Sequence, residues 1–262
     1  MDGTDLDLDF TEEEVQRYSR HILLPEVGGI GQAQLRRARV LIVGAGGLGS
    51  PLLLYLAAGG VGTIGIVDDD HVDLSNLQRQ IAHTTASLNQ SKTASAATAA
   101  RAINPLVTVV EHPFRLTEAE APDLIAGYDI VCDGSDNFTT RYLVADACLR
   151  ARRTLVSAAV LRFEGQLSVF KPHLHPEGPC YRCLYPEAPP PGFAPSCAEA
   201  GVLGAVTGVM GTLQATETIK EILGIGESLS GRLLLWDALA TRFRTIRVPR
   251  DPHCPACSSP HV

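Results

Sequence analysis

Short, nearly continuous apolar runs alternate along the chain with longer segments of helical period. Residues 39–43, Arg-Val-Leu-Ile-Val, form the first run, the composition of a strand buried on both faces. An apolar helix is predicted over 50–58 and a second strand over 62–67, ending at Asp68-Asp69-Asp70. An Ala-rich helix over 91–103 stops at Asn104-Pro105. Strands over 107–110 and 128–132, a helix over 138–150 and a strand over 154–158 continue the alternation. Ahead of them, residues 11–20 read as a charged helix, with Thr11 and Glu14 spaced as a capping box. Strands alternating with helices at this spacing predict an α/β fold with a doubly wound, mainly parallel sheet.

The rhythm changes after residue 159. A long strand is predicted over 163–170, a Pro-rich loop over 186–195, and a helix over 202–223 that carries several glycines. Two late strands follow over 232–236 and 243–248. No repeat or low-complexity linker interrupts the pattern, so one domain over 1–262 is expected, with a nucleotide-binding half over about 1–159 and a second half over about 160–262.

Composition narrows the classes. Hydrophobic residues make up 45% of the 262, but no apolar run reaches the roughly 18 residues of a membrane span. The acidic, polar first ten residues lack the basic start and apolar core of a secretory signal. A cytoplasmic protein without a membrane partner is therefore expected. The net charge of −7 argues against nucleic-acid binding, which calls for a basic surface. It leaves room for a nucleotide pocket, which needs only a few local cations.

Gly44-Ala45-Gly46-Gly47-Leu48-Gly49 fits G-x-G-x-x-G between a predicted strand and a predicted helix. Gly44 permits the tight turn, Gly46 lets the backbone approach phosphate, and Gly49 lets helix and strand pack closely. Asp68, at the end of the next strand, is placed to accept hydrogen bonds from ribose hydroxyls. This fingerprint does not choose between NAD, FAD, SAM and ATP, and taken alone it suggests a nicotinamide oxidoreductase. The polar stretch Asp70 to Arg79, with Asn76, and then Lys92 changes the balance. A guanidinium fork and a compact ammonium suit a triphosphate. Asp136 follows the fourth strand, where ligands of open α/β sheets bind, and is placed to hold Mg²⁺ against phosphates. The plainer readings are surface positions for Arg79 and Lys92, and helix capping by Asp136 or its neighbour Asn137.

Two Cys-x-x-Cys pairs, Cys180/Cys183 and Cys254/Cys257, supply four thiols. Four cysteines in two such pairs match a closed structural zinc site. Cys197 precedes a predicted helix, a place where a thiol pKa can be lowered. Cys132 and Cys148 fall in apolar elements and read as core.

Taken together, these motifs resemble the HesA/MoeB/ThiF family, bacterial relatives of ubiquitin-activating enzymes. The matching stretches are Arg17-Tyr18-Ser19-Arg20, Val43 to Gly49, Asp73 to Gln80, Asp133 to Asn137, Cys180 to Cys183, Cys197 to Leu203 and the last Cys-x-x-Cys. The resemblance implies a Rossmann-like fold with a C-terminal extension of further strands and a four-cysteine zinc site. It implies ATP-dependent adenylation of the C-terminal glycine of a ubiquitin-like sulfur-carrier protein ending in Gly-Gly. Gly47, Asp68, Asn76, Arg79 and Lys92 fall on ATP-contacting motif positions, within a nucleotide site that also takes in Gly44, Gly46, Gly49, Asp70 and Asn137. Asp136 falls on a position associated with Mg²⁺. Arg20 matches an arginine that reaches the partner's active site in a homodimer. Cys197 matches a cysteine that is covalently engaged in some relatives and dispensable for adenylation in others. A cysteine desulfurase is a candidate sulfur donor, and the pathway is open between molybdopterin, thiamine, tRNA thiolation and cysteine. Asp69 departs from the family pattern, and the chain ends soon after Cys257 without the rhodanese domain some relatives append. A nicotinamide oxidoreductase and a non-catalytic, zinc-stabilised binding protein remain as alternatives.

Overall fold

The computed structural model describes residues 7–190 and 200–258. In chain order the elements are α1 (Glu12–Ile22), α2 (Gly28–Arg37), β1 (Arg39–Val43), α3 (Gly49–Ala58), β2 (Thr63–Val67), α4 (Lys92–Ile103), β3 (Thr108–His112) and α5 (Ala121–Ala126). They continue with β4 (Ile130–Asp133), α6 (Phe138–Ala151), β5 (Thr154–Leu161), β6 (Glu164–Phe170), the short α7 (Tyr181–Leu184), α8 (Gly204–Leu223), β7 (Arg232–Asp237) and β8 (Arg242–Arg247). The expected capping box is formed at α1. The Thr11 N–H donates to Glu14 Oε2 at 2.8 Å, and the Glu14 N–H to Thr11 Oγ1 at 3.2 Å.

All eight strands form one sheet in the order β3-β2-β1-β4-β5-β6-β7-β8. The first five are parallel, and β6, β7 and β8 join antiparallel. The sheet is the doubly wound, mainly parallel one expected, and the C-terminal strands extend it. β5 runs through residue 159, so no gap in the sheet separates the two halves.

Strand alternation sorts β1 between two cores. Val40 and Ile42 face a core with Leu52, Leu53 and Leu56 of α3, Ala96 and Ala97 of α4, and Met210 of α8. Leu41 and Val43 face the other, with Ile125 of α5 and Val144 and Cys148 of α6. That is why β1 reads as an unbroken apolar run: both of its faces are covered. Cys132 and Cys148 are fully buried, and burial pushes the Cys132 thiol up to about 12.

Three helices are absent from the sequence pattern: α2, α5 and the four-residue α7. α2 carries three glycines and is held by tertiary contacts, with Leu35 buried and the Gln32 side-chain amide donating to the Gly59 carbonyl at 3.0 Å. α5 has six residues, too few for a periodic signal. The glycines of α8 answer a packing need. A Cβ at Gly211 would lie 2.4 Å from the Leu48 carbonyl oxygen, so glycine permits α8 to approach the start of α3. Among the described residues no helix is long and apolar enough to cross a membrane.

Candidate functional site

Strand order reverses between β1 and β4. From β1 the chain crosses to β2 on one side, and from β4 to β5 on the other, which leaves a crevice beyond their carboxyl ends. A cavity of about 310 Å³ occupies it, walled by the Gly44–Leu48 turn, the residues after β2 and the β4–α6 loop. Gly44 has φ +92°, and a Cβ on Gly49 would lie 1.9 Å from the Gly44 carbonyl oxygen. No other residue allows this turn to close so tightly onto α3.

Gly44, Gly46, Gly47, Asp68, Asp70, Arg79, Lys92, Asp136 and Asn137 all line the cavity, so residues from five separate segments meet there. Asp68 accepts the Ala45 N–H at 2.7 Å on one carboxylate oxygen and the Asp70 N–H at 2.9 Å on the other. Burial raises its pKa, opposed by the positive charge of Lys92 and by those N–H donors. Lys92 is only 6% exposed, and its Nζ lies 2.7 Å from Asp70 Oδ2. Arg79 spends one donor on the Ser75 carbonyl at 3.1 Å. Asp68, Asp69 and Asp70 also offer carboxylate oxygens within 4.8 Å of one another, a second place where a cation could bind.

At the end of β4 and in the loop to α6, two aspartates divide the work. Asp133 is buried and accepts from the Ser135 N–H at 3.0 Å and the Ser135 hydroxyl at 2.7 Å, which shapes the turn. Asp136 is exposed to the cavity. Asn137 caps α6 by accepting the Thr140 N–H at 2.9 Å, and lines the cavity as well.

Three expected site residues lie elsewhere. Asn76 uses its side-chain oxygen to accept the Asp73 N–H at 3.1 Å and is not in the cavity wall. Gly49 lies behind the wall, where its part is close packing. Arg20 is exposed on α1, away from the cavity of its own chain. Cys197 lies outside the described residues, as do residues 191–195 of the Pro-rich loop. The wall also includes Phe114, Arg115, Arg141 and Thr207, which the motifs did not single out, and Gln80, the last residue of the Asp73–Gln80 stretch. Arg115 follows β3, and the rule that ligands sit beyond parallel strand ends was signal enough to suspect it.

A second groove, of about 240 Å³, runs between the β5–β6 hairpin and α7. Ala158, Leu167, Phe170, Tyr181 and Tyr185 give it an apolar lining. It meets the first cavity at Asp136, Arg141 and Val160, which line both. The Arg141 guanidinium donates to the carbonyls of Ser135 and Ala158 and so ties the β4–α6 loop to β5 at this junction.

The four cysteines of the two pairs converge. Sγ atoms are 3.8 Å apart for Cys180 and Cys183, 3.5 Å for Cys180 and Cys254, and 3.5 Å for Cys183 and Cys257. Tetrahedral zinc with Zn–S near 2.3 Å calls for sulfurs about 3.8 Å apart. Four thiols so placed fit such an ion with little movement. Burial raises the pKa of Cys180 and Cys183, so losing their protons calls for a compensating cation. Arg182, between the first pair, forms a fork to Asp146 of α6 at 2.8 and 2.7 Å, which anchors the cysteine knuckle on the domain.

The model of the ThiF family matches residues 18–256. The chain is 52% identical over 250 residues to a "Sulfur carrier protein adenylyltransferase" of Thermus thermophilus, covering 95% of this chain and 92% of that protein. It is 55% identical over 248 residues to the "Adenylyltransferase and sulfurtransferase MOCS3" of Bos taurus, covering 94% of this chain but 54% of the relative. Among solved structures, E. coli MccB superimposes with a TM-score of 0.82 at 21% identity, covering 96% of this chain and 76% of that one. At that identity the likeness is one of fold alone.

Proposed function

The chain belongs to the ThiF family, and from that premise we propose that it transfers the adenylyl group of ATP to the C-terminal glycine carboxylate of a ubiquitin-like sulfur-carrier protein. The observation that carries the reading is the junction of two unlike cavities at Asp136 and Arg141. The polar one suits a nucleotide. The apolar one is an open groove in which an extended C-terminal tail, ending in Gly-Gly, can bring its carboxylate to that junction. The names of the relatives from Thermus thermophilus and Bos taurus agree in chemistry.

A carboxylate oxygen of the carrier attacks the α-phosphorus. A new P–O bond forms, the bond to the bridging oxygen of pyrophosphate breaks, and an acyl adenylate remains. No general base is needed, because the carboxylate is already ionised at neutral pH. The work left to the protein is alignment and neutralisation of phosphate charge. Lys92 and Arg79 supply positive charge, the Gly46–Gly47 backbone approaches the phosphates, and Asp68 holds the ribose. Asp136, exposed at the junction, would hold Mg²⁺, which would offset charge on the phosphates. Arg20 would enter from the partner of a homodimer. The exposed apolar Leu23 and Leu24, which follow it in the chain, and Ile30 of α2 are side chains such a partner could cover. Zinc on Cys180, Cys183, Cys254 and Cys257 would be structural, since four thiolates leave no open position. Cys197 is the candidate for a later covalent step, and a cysteine desulfurase for the sulfur donor. The first cavity is lined mostly by residues before 159, in keeping with a nucleotide half there, whereas the proposed carrier groove draws on residues from both sides of that position.

The test is ATP–pyrophosphate exchange with purified β-grasp carriers ending in Gly-Gly. Exchange should depend on one such carrier and vanish when its terminal glycine is removed. NAD(H) binding without exchange would replace this reading by an oxidoreductase, and neither activity would leave a zinc-stabilised binding protein.

A further inference from the structure

We propose that His83 is a positioning residue that sets the phosphate-binding orientation of the Ala45–Gly46 peptide. The proposal deepens the nucleotide reading given above and rests on it. His83 lies between the Arg79 segment and α4, is 5% exposed, and is absent from the cavity wall. Both of its ring nitrogens are used. Nε2 is 2.9 Å from the Ala45 carbonyl oxygen, and Nδ1 is 2.9 Å from the Ser95 hydroxyl. A carbonyl oxygen only accepts, so Nε2 carries the proton. In the neutral ring Nδ1 then accepts from Ser95. Burial lowers the His83 pKa, which favours that neutral ring.

The consequence lies one bond further on. A trans peptide holds its C=O and N–H on opposite edges. With the Ala45 carbonyl held inward by His83, the Gly46 N–H must face the other way, toward the cavity that Gly46 lines. The preceding peptide is held as well, because the Ala45 N–H donates to Asp68 at 2.7 Å. Neither Gly46 N–H nor Gly47 N–H has a protein acceptor among the described residues. These are free donors at the start of α3, where an anion is favoured. Gly44 and Gly46 lack side chains that would restrain the loop, so without His83 the peptide could rotate. Holding it beforehand removes an ordering cost from ATP binding.

Two near-isosteric replacements separate donation to Ala45 from simple packing. Glutamine places its amide nitrogen where Nε2 lies, and asparagine places its own where Nδ1 lies. Calorimetric ATP affinity of the full chain should fall about tenfold in His83→Asn, the worth of one well-aligned donor. His83→Gln should stay within about threefold of the parent. In pyrophosphate exchange the loss should fall mainly on KM for ATP and leave KM for the carrier unchanged. Circular dichroism and thermal unfolding check that the variants are folded. If His83→Asn does not fold, Ser95→Ala, which frees the ring to turn, should still weaken ATP binding. ATP affinity in His83→Asn equal to the parent, or an equal loss in His83→Gln, overturns the proposal. A parent protein that binds no ATP would instead overturn the nucleotide reading beneath it.

Discussion

A lysine in the first turn of a helix meets the positive end of the helix dipole, and a buried lysine loses its hydration. Lys92 does both, at the start of α4 and 6% exposed, with Asp70 as its carboxylate partner. Local rules broken at this position make sense if an anion completes the site. Two variants separate the site's chemistry from its stability. Lys92→Met keeps the bulk and removes the charge, so pyrophosphate exchange should drop about 100-fold. Stability should move by less than about 1 kcal/mol, because an apolar group replaces a buried ion. Asp70→Ala leaves the ammonium buried without its hydrogen-bonded carboxylate, with only the charge of Asp68 nearby. It should cost about 1–2 kcal/mol, a figure held down by the exposure of Asp70. Urea unfolding gives the order of the two, and equal stabilities would mean that Lys92 bears no desolvation cost.

At the scale of elements, the glycine turn is held by a helix remote in sequence. A Cβ on Gly47 would lie 3.1 Å from Thr207 of α8, and one on Gly211 would strike the Leu48 carbonyl at 2.4 Å and Pro51 at 2.5 Å. Gly208, on the same helix, has nothing within 4 Å of such a Cβ. The two glycines should therefore respond oppositely to alanine. Gly211→Ala should destabilise by about 2 kcal/mol through backbone displacement, and should also weaken ATP binding by moving Thr207 against the turn. Gly208→Ala should stabilise by roughly 0.5–1 kcal/mol, the ordinary helix-propensity gain. Chemical denaturation with ATP titration reads both, and a stabilised Gly211→Ala would refute the close approach.

For the whole molecule, the sheet gathers the residues of the first cavity at its switch point and leaves Arg20 on the outside of the same chain. The proposed homodimer turns that separation into a complementation test. Arg20→Ala and Asp136→Ala should each abolish most exchange as homodimers, because each removes one component from every site. An arginine supplied in trans is worth several kcal/mol in other phosphoryl-transfer enzymes. A mixture of the two variants, allowed to exchange subunits, should recover a site that joins the intact Arg20 of one chain to the intact Asp136 of the other. Mixtures as inactive as their parents would leave Arg20 without a part in the partner's site.

Short-range regularities settled a large share of this protein in advance. The apolar runs located the core strands, because burial on both faces leaves little room for polar residues. G-x-G-x-x-G specified its turn, since the steric demands of Gly44 and Gly49 lie within a few residues of each other. The Thr11–Glu14 box is local in the same way. Only the tertiary structure brought Cys180 and Cys183 within bonding distance of one ion with Cys254 and Cys257, or placed Arg115, Arg141 and Thr207 in the wall of the cavity that the glycine turn borders. It also set His83 under Ala45. Neither the loop residues gathered around the first cavity nor the His83 contact leaves a mark on spacing or periodicity. Each depends on which strand ends the sheet order makes neighbours, and that order is set by long-range burial rather than by any local run of residues.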